Sequence, residues 1–153
     1  MKILVFSDSH GHIGDMVEAV EKEHPDHIFF LGDHYRDGLE LSEIYPEIPL
    51  AAVRGNCDWG SGEDEAEIVL EGVRFFLTHG HRYGCKTEYS ALISEGHRRC
   101  VDMVCFGHTH QALHTRVDEG LWLFNPGTVG GVHNRVGYGV LVAEHGTVSG
   151  RLM

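Results

Sequence analysis

The sequence predicts an α/β protein in which two sheets pack face to face, each with helices on its outer side. Three observations lead there. Short apolar runs alternate with amphipathic helical stretches through the first half of the chain, the pattern of βαβ units. The last third instead carries apolar runs in pairs, joined by Asp118-Glu119-Gly120 and Glu144-His145-Gly146, which reads as antiparallel strands without helices between them. Finally, five runs end in clusters rich in Asp, Asn and His, so these side chains gather at the carboxyl ends of strands.

Residues 2–7, apolar from Ile3 to Phe6, open the fold as a strand. Ile13, Met16, Val17 and Val20 recur at helical spacing with acids opposite, predicting a helix over 13–23. A second strand is expected over 27–31. Residues 39–44 predict a short helix that Pro46 stops, and 49–53 a third strand. Residues 59–65 (WGSGEDE) read as a solvated acidic loop. Apolar runs at 68–70 and 73–78 flank Glu71-Gly72 as a hairpin. A helix over 87–98 turns Tyr89, Leu92 and Ile93 inward, and 102–106 is a strand. Residues 112–117 pair with 121–124, and 138–143 with 147–152, so the C-terminal third is expected as a β-meander. No repeat, low-complexity tract or linker interrupts the chain, and residues 1–153 are read as a single domain.

Composition narrows the function classes. With 42% hydrophobic and 23% charged residues the chain resembles an ordinary globular protein. Its 23 acids against 12 bases, net −11, disfavour nonspecific nucleic-acid binding, which rests on phosphate neutralisation by Lys and Arg. No apolar stretch approaches the ~20 residues that span a bilayer. Met1-Lys2-Ile3 runs straight into a strand rather than a signal peptide, so a cytoplasmic location is expected. Cys57, Cys85, Cys100 and Cys105 contain no Cys-x-x-Cys pair and suggest no secreted disulfide framework. Neither nucleic acid nor membrane is expected as a partner, and a homo-oligomer is compatible with the sequence.

The five clusters begin at Asp8, Asp33, Asn56, His79 and His108, spaced by 25, 23, 23 and 29 residues, close to one strand plus its return connection. If the runs share a sheet, all five clusters line one edge of it. Asp8, His10, Asp33, Asn56, His79, His108 and His110 offer carboxylate, amide and imidazole donors. That is too many for one ordinary ion and suits two, with one carboxylate bridging. Any single Asp or His after a strand is ordinary turn chemistry; the joint pattern is what points to metal. Mixed oxygen and imidazole donors suit first-row divalent ions (manganese or nickel first, iron, cobalt or zinc next) and argue against calcium. Two ions with four positive charges, against Asp8, Asp33 and one hydroxide, leave about +1 locally despite the acidic surface. Such a pair clamps a phosphoryl group, so hydrolysis of a phosphate ester is the reaction these donors fit best.

These residues resemble the calcineurin-like metallophosphoesterases, whose pattern D-x-H, G-D, G-N-x-[DE], H and G-H-x-H matches Asp8/His10, Gly32-Asp33, Gly55-Asn56-Cys57-Asp58, His79 and Gly107-His108-Thr109-His110 in order. Asn125-Pro126-Gly127-Thr128 is similar to an N-P-G-[ST] loop of the short bacterial and archaeal phosphodiesterase branch. The resemblance implies a four-layer α/β/β/α sandwich of two mixed sheets and two divalent transition metal ions. It places Asp8, His10, Asp33 and His110 on one ion and Asp33, Asn56, His79 and His108 on the other, with Asp33 bridging. It further implies attack by a metal-bridging hydroxide on a small soluble phosphodiester, with Asn56, Asp33 and His108 carrying catalysis and Asn56 touching a phosphate oxygen.

One departure stands out. Many relatives carry His after the Gly-Asn pair, and this chain has Cys57, as the short branch also does. A thiol with an ordinary pKa near 8.5 is a poor substitute proton donor. Arg54, His81 and His34 are candidate substrate contacts; a surface salt bridge competes equally for Arg54, and a solvated loop position for His81 and for His12, which also flanks a ligand. Asp58 is expected to orient a ligand histidine or cap its loop. Tyr83, Trp59 and Trp122 are expected to pack rather than stack on bases. Two alternatives stay open: a phosphomonoesterase or phosphoprotein phosphatase, and a non-catalytic scaffold such as the retromer small subunit, which resembles this branch.

Overall fold

In the computed structural model, which describes residues 1–130 and 137–153, β1 (Lys2–Phe6) runs through the middle of the first sheet. Its continuous apolar run is buried on both faces, as an interior strand requires. It pairs in parallel with β2 (His27–Phe30), which pairs in parallel with β3 (Leu50–Ala52). The second sheet is built from β4 (Glu65–Leu70), β5 (Val73–Thr78), β6 (Met103–Cys105), β7 (Leu113–Arg116) and β8 (Trp122–Asn125) in the order β4-β5-β6-β8-β7. β9 (Gly139–Glu144) and β10 (Thr147–Leu152) return to the first sheet, giving it the order β10-β9-β1-β2-β3.

The expected meander is therefore corrected. The two C-terminal hairpins are antiparallel within themselves but lie in different sheets, and β8 inserts beside β6 in parallel rather than continuing outward. The single-edge expectation is corrected with it: three of the five clusters follow strands of one sheet and two follow strands of the other.

Strand alternation explains the layers. Ile3, Val5, Phe29, Leu31, Phe75, Leu77 and Met103 meet between the sheets, with Phe29 and Phe75 edge-on at 5.3 Å between centroids. The intervening Leu4, Phe6, Ile28 and Phe30 face α1 (Ile13–Glu23) and α2 (Tyr35–Ile44). Phe76, Val104 and Leu123 of the other sheet face α3 (Ser90–Arg98) through Leu92. The order helices, sheet, sheet, helix is the predicted four-layer sandwich. α1 buries Met16, Ala19, Val20 and Glu23, one helical stripe, and closes with His24 in the left-handed region, its N–H on the Val20 carbonyl. Buried Glu23 is paired by Arg151 at 2.6 Å and Lys2 at 3.7 Å, tying the C-terminal strand to α1.

Three elements start three or more residues away from expectation, two of them for a long-range reason. α2 starts at Tyr35 rather than 39 because Asp58, from a distant loop, accepts the Tyr35 N–H at 2.8 Å. Gly38 within it was no helix signal, yet a Cβ there would meet the Phe30 ring at 2.9 Å. β4 starts at Glu65 rather than 68: Arg99 pairs with Glu65 and Glu67 at 2.7 Å each and lies 4.1 Å over the Phe76 ring, so the acidic stretch is drawn into the sheet. α3 starts at Ser90 because residues 84–88 form a separate turn, with Thr87 and Glu88 N–H groups on the Gly84 carbonyl. No helix among the described residues is long and apolar enough to cross a membrane, and all four cysteines are free.

Candidate metal centre

The carboxyl ends of β1, β2, β3, β5 and β6 converge, and their following loops make very close approaches. A Cβ at Gly55 would lie 2.1 Å from Asp33 Oδ1, and one at Gly107 would lie 1.9 Å from Ser7 Oγ. Glycine precedes Asn56 and His108 because nothing larger lets loops from two strands meet there. The loops themselves are bent unusually: Asp8, His10, Asp33, His34, His108 and His110 all have φ between 45° and 70°. Asp and His tolerate the left-handed region better than most residues, yet each such position still costs about 1 kcal/mol or more. Such strain concentrates at functional sites.

At the centre are two carboxylates and a histidine with almost no solvent exposure. His79 Nδ1 lies 2.7 Å from the Leu31 carbonyl, which can only accept, so Nδ1 carries the proton and Nε2 faces inward. There it meets Asp33 Oδ1 at 3.5 Å and Asp8 Oδ1 at 3.9 Å. Neither His79 Nε2 nor Asp8 Oδ1 finds a hydrogen-bond partner, although both are buried. Burial disfavours the His79 imidazolium, but the Asp33 carboxylate 3.5 Å away and the charge of Asp8 outweigh it and raise its pKa. Burial alone would raise the Asp33 carboxyl. The His79 ring beside it and the Cys57 N–H, which donates to Oδ1 at 3.0 Å, hold it well below the usual carboxylate range instead. Converging buried donors with unmet polar atoms are what a cation would satisfy.

Donor atoms of Asp8, His10 and His110 lie within 4.8 Å of one another, and so do those of Asp8, Asp33 and His79. The residues thus fit divalent metal, with Asp8 in both groups. His110 Nε2 reaches Asp8 Oδ1 at 3.1 Å, and the His10 ring is 5.6 Å from that of His110. His108 stands beside His79, centroids 5.0 Å apart; burial, His79 and Lys86 push its pKa down to about 4, leaving a neutral imidazole at neutral pH. Asn56 is exposed at the opening, its amide 3.6 Å from the Cys57 sulfur. Burial and the neighbouring Asp33 push the Cys57 thiol up, further from a useful acid.

The surrounding candidates separate. His81 joins the cluster, 5.5 Å from the His79 ring, and its buried Nδ1 has no partner. His34 packs on His10 at 5.1 Å. Arg54 takes its salt-bridge reading: it holds Asp64 at 2.8 Å and the Gly60 carbonyl, with Arg82 on the other Asp64 oxygen. His12 precedes α1, 3.4 Å from Asp15, without bonding to the helix's first N–H groups, and stays outside the donor group. Asp58 caps rather than orients a histidine, accepting N–H groups of Asp33, Tyr35 and Gly55 at 2.9, 2.8 and 2.7 Å. Tyr83 packs against Phe76 and Trp122 against His114, as expected. Trp59 does not: it is 93% exposed, because its loop turns outward beyond Asp58.

Of the other supporting residues, Asp37 and Ser7 carried no sequence signal, whereas Asn125 and Thr128 belong to the Asn-Pro-Gly-Thr segment. Asp37 accepts Ser9 Oγ at 2.6 Å and the Gly11 N–H at 2.8 Å, bracing the His10 loop from α2. Asp8 Oδ2 accepts Ser7 Oγ at 2.5 Å and the His108 N–H at 3.1 Å. Buried Asn125 donates to the Gly107 carbonyl and to Thr109 Oγ1, each 3.0 Å, and Thr128 Oγ1 donates to the Asp8 carbonyl at 2.8 Å. The Asn-Pro-Gly-Thr segment thereby holds the backbone of two donor loops.

Residues 1–147 match the family model described as the calcineurin-like phosphoesterase superfamily domain. The chain is 32% identical over 131 residues to the probable metallophosphoesterase YsnB of Bacillus subtilis, covering 84% of this chain and 75% of that protein. It is 30% identical over 172 residues to phosphodiesterase YfcE of Escherichia coli, covering 92% and 87%. Among solved structures, Vps29 of Entamoeba histolytica complexed with zinc superposes with a TM-score of 0.77 at 19% identity, covering 100% of this chain and 98% of that one.

Proposed function

This chain belongs to the calcineurin-like phosphoesterase superfamily, and from that membership and the buried donor cluster we propose a divalent-metal-dependent phosphodiesterase acting on a small phosphate ester. The observation that carries the proposal is the buried Asp8–Asp33–His79 group, in which neither Asp8 Oδ1 nor His79 Nε2 has a hydrogen-bond partner. A scaffold on this fold has no use for it.

Asp8, His10, Asp33 and His110 are assigned to one ion and Asp33, Asn56, His79 and His108 to the other, with manganese or nickel as the preferred metals. Divalent ions, when bound, polarise a phosphoryl oxygen and bring the pKa of water towards neutrality. The protein's own groups do the rest. The Leu31 carbonyl fixes the His79 tautomer so that Nε2 is always presented inward. Asp58 and the Cys57 N–H hold Asp33, one by its backbone and the other by its carboxylate. Asn56, exposed at the opening, offers an amide N–H to a phosphate oxygen, and catalysis is assigned to it with Asp33 and His108. His81 and His34 flank the opening as substrate contacts, while Arg54, engaged with Asp64, braces the wall. With the Cys57 thiol pushed up, the leaving group departs with little help from it. Residues 1–153 act as one domain on a soluble ester in the cytoplasm, without nucleic acid as a partner.

Elemental analysis together with turnover of bis(p-nitrophenyl) phosphate and p-nitrophenyl phosphate, in manganese and in nickel, tests this reading. Two ions per chain and faster diester hydrolysis are expected, and Asp33→Ala should lose both metal and rate. Faster monoester turnover would replace the diesterase reading with a phosphomonoesterase, and no metal-dependent turnover would remove the enzymatic one. If Asp33→Ala kept two ions, the bridging assignment would be wrong; Asp8, common to both donor groups, would then be the carboxylate to test.

A further inference from the structure

Beside the donor cluster lies an open cleft of about 510 Å³, lined by His34, Arg36 and Leu39 of the α2 end and by Cys57, Asp58 and Trp59 of the facing loop. It shares His34 and Cys57 with the mouth of the centre, so the cleft is continuous with it. Trp59 stands on its rim at 93% exposure, in a chain whose seven phenylalanines are all buried. Its loop is anchored on both sides: Asp58 is clamped to three backbone N–H groups, and Arg54 holds the Gly60 carbonyl and Asp64. The indole is thus presented by a braced loop rather than left on a loose one. Leu39, 44% exposed, adds a second apolar surface in the same cleft. Arg36 adds a positive charge. Unlike Arg54 and Arg82, it is held neither by Asp64 nor by any other carboxylate among the described residues. In a protein of net charge −11, a free guanidinium beside an exposed indole is a specific feature.

We propose that this cleft is a substrate subsite for a flat aromatic ring, and that the esters taken by the centre are nucleotide-like, with the ring stacked on Trp59 and their negative charge met by Arg36. The proposal rests on the phosphoesterase reading and deepens it by naming the substrate class. Every nucleobase offers a π-face, so stacking on one exposed indole accepts the ring without reading its edges, and Arg36 at the same wall favours the anionic part. The cleft accommodates a nucleoside-sized group, and nothing in it selects one base over another.

Calorimetric titration of the manganese-loaded protein with adenosine 5′-monophosphate and with ribose 5-phosphate tests the subsite without turnover. Stacking of this kind makes adenosine 5′-monophosphate bind about tenfold more tightly than ribose 5-phosphate. Trp59→Ala should bring the ratio of the two Kd values close to one, whereas Trp59→Phe keeps most of it. Arg36→Gln should weaken both ligands by a similar factor, because it acts on charge rather than on the ring. Adenosine 5′-monophosphate should also quench Trp59 emission saturably, and ribose 5-phosphate should not. Equal affinities in the wild-type protein, or a preference that survives Trp59→Ala, would overturn the proposal. Failure of metal-dependent ester hydrolysis would instead overturn the enzymatic reading, which this ratio does not measure.

Discussion

Replacing Asp58 by alanine removes a carboxylate that joins three backbone segments at once. Its two oxygens accept N–H groups from Gly55 in its own loop, Asp33 after β2 and Tyr35 at the start of α2, at 2.7, 2.9 and 2.8 Å. A hydrogen bond to a charged acceptor contributes about 1.5–3 kcal/mol when its partner is left unsatisfied. Three at the lower end would sum to ~4.5 kcal/mol. Asp58 is only half-buried, however, so water replaces part of what is lost, and the expected cost is about 2–4 kcal/mol. For a chain of this size that lowers Tm by about 5–15 °C. Asp58→Asn keeps one acceptor oxygen and should fall roughly midway. Urea unfolding and calorimetry on metal-free protein supply the measurement, because bound metal would add its own stabilisation. Since Asp33 hangs from the same clamp, metal content should drop in the alanine variant as well. A change below ~0.5 kcal/mol would refute the clamp, because a solvated surface carboxylate costs no more than that.

Gly107→Ala should cost about 1–3 kcal/mol and weaken metal retention, since its Cβ would fall 1.9 Å from Ser7 Oγ and 2.9 Å from Asp8 Oδ2; Ser7→Ala in the same chain should recover part of the loss, and additive losses would refute the contact. Arg98 and Arg99 hold Glu95 at about 2, so its contribution is present above the ordinary value near 4.3 and is lost as pH falls towards 2. Glu95→Gln should therefore destabilise by about 1 kcal/mol at pH 7 and by nothing near pH 2 in urea unfolding, and a difference that does not shrink would refute the pairing. Cys57→Ala keeps the N–H that holds Asp33 and should leave aryl diester turnover within a few-fold; a large loss with metal retained would show that the thiol is chemically engaged. Cys57→His should instead raise turnover of alkyl diesters selectively, since a well-placed general acid contributes about 10²–10⁴-fold.

Local sequence determined the parts of this protein that depend on near neighbours. The apolar runs at β1, β2, β5 and β6, the stripe of α1, and the Asp, Asn and His clusters after the strands were legible because periodicity and strand-end chemistry act over a few residues. So was the donor type, since carboxylate, amide and imidazole carry their metal preferences wherever they stand. Tertiary structure alone decided how those parts meet. Insertion of β8 beside β6, and the division of the clusters between two sheets, follow from pairing across long separations that no window of sequence contains. The left-handed backbone at Asp8, Asp33 and His108 is imposed by strand ends converging, not by residue preference. Arg54 and Asp58 carry charges whose use depends on what faces them; the fold faced Arg54 with Asp64 and Asp58 with three N–H groups. Trp59 has the most apolar surface to hide and the composition of a core residue, yet the clamp at Asp58 turns it outward. The common reason is that a side chain's chemistry is written in its own position, but its partner, its exposure and its strain are set by what the folded chain brings against it.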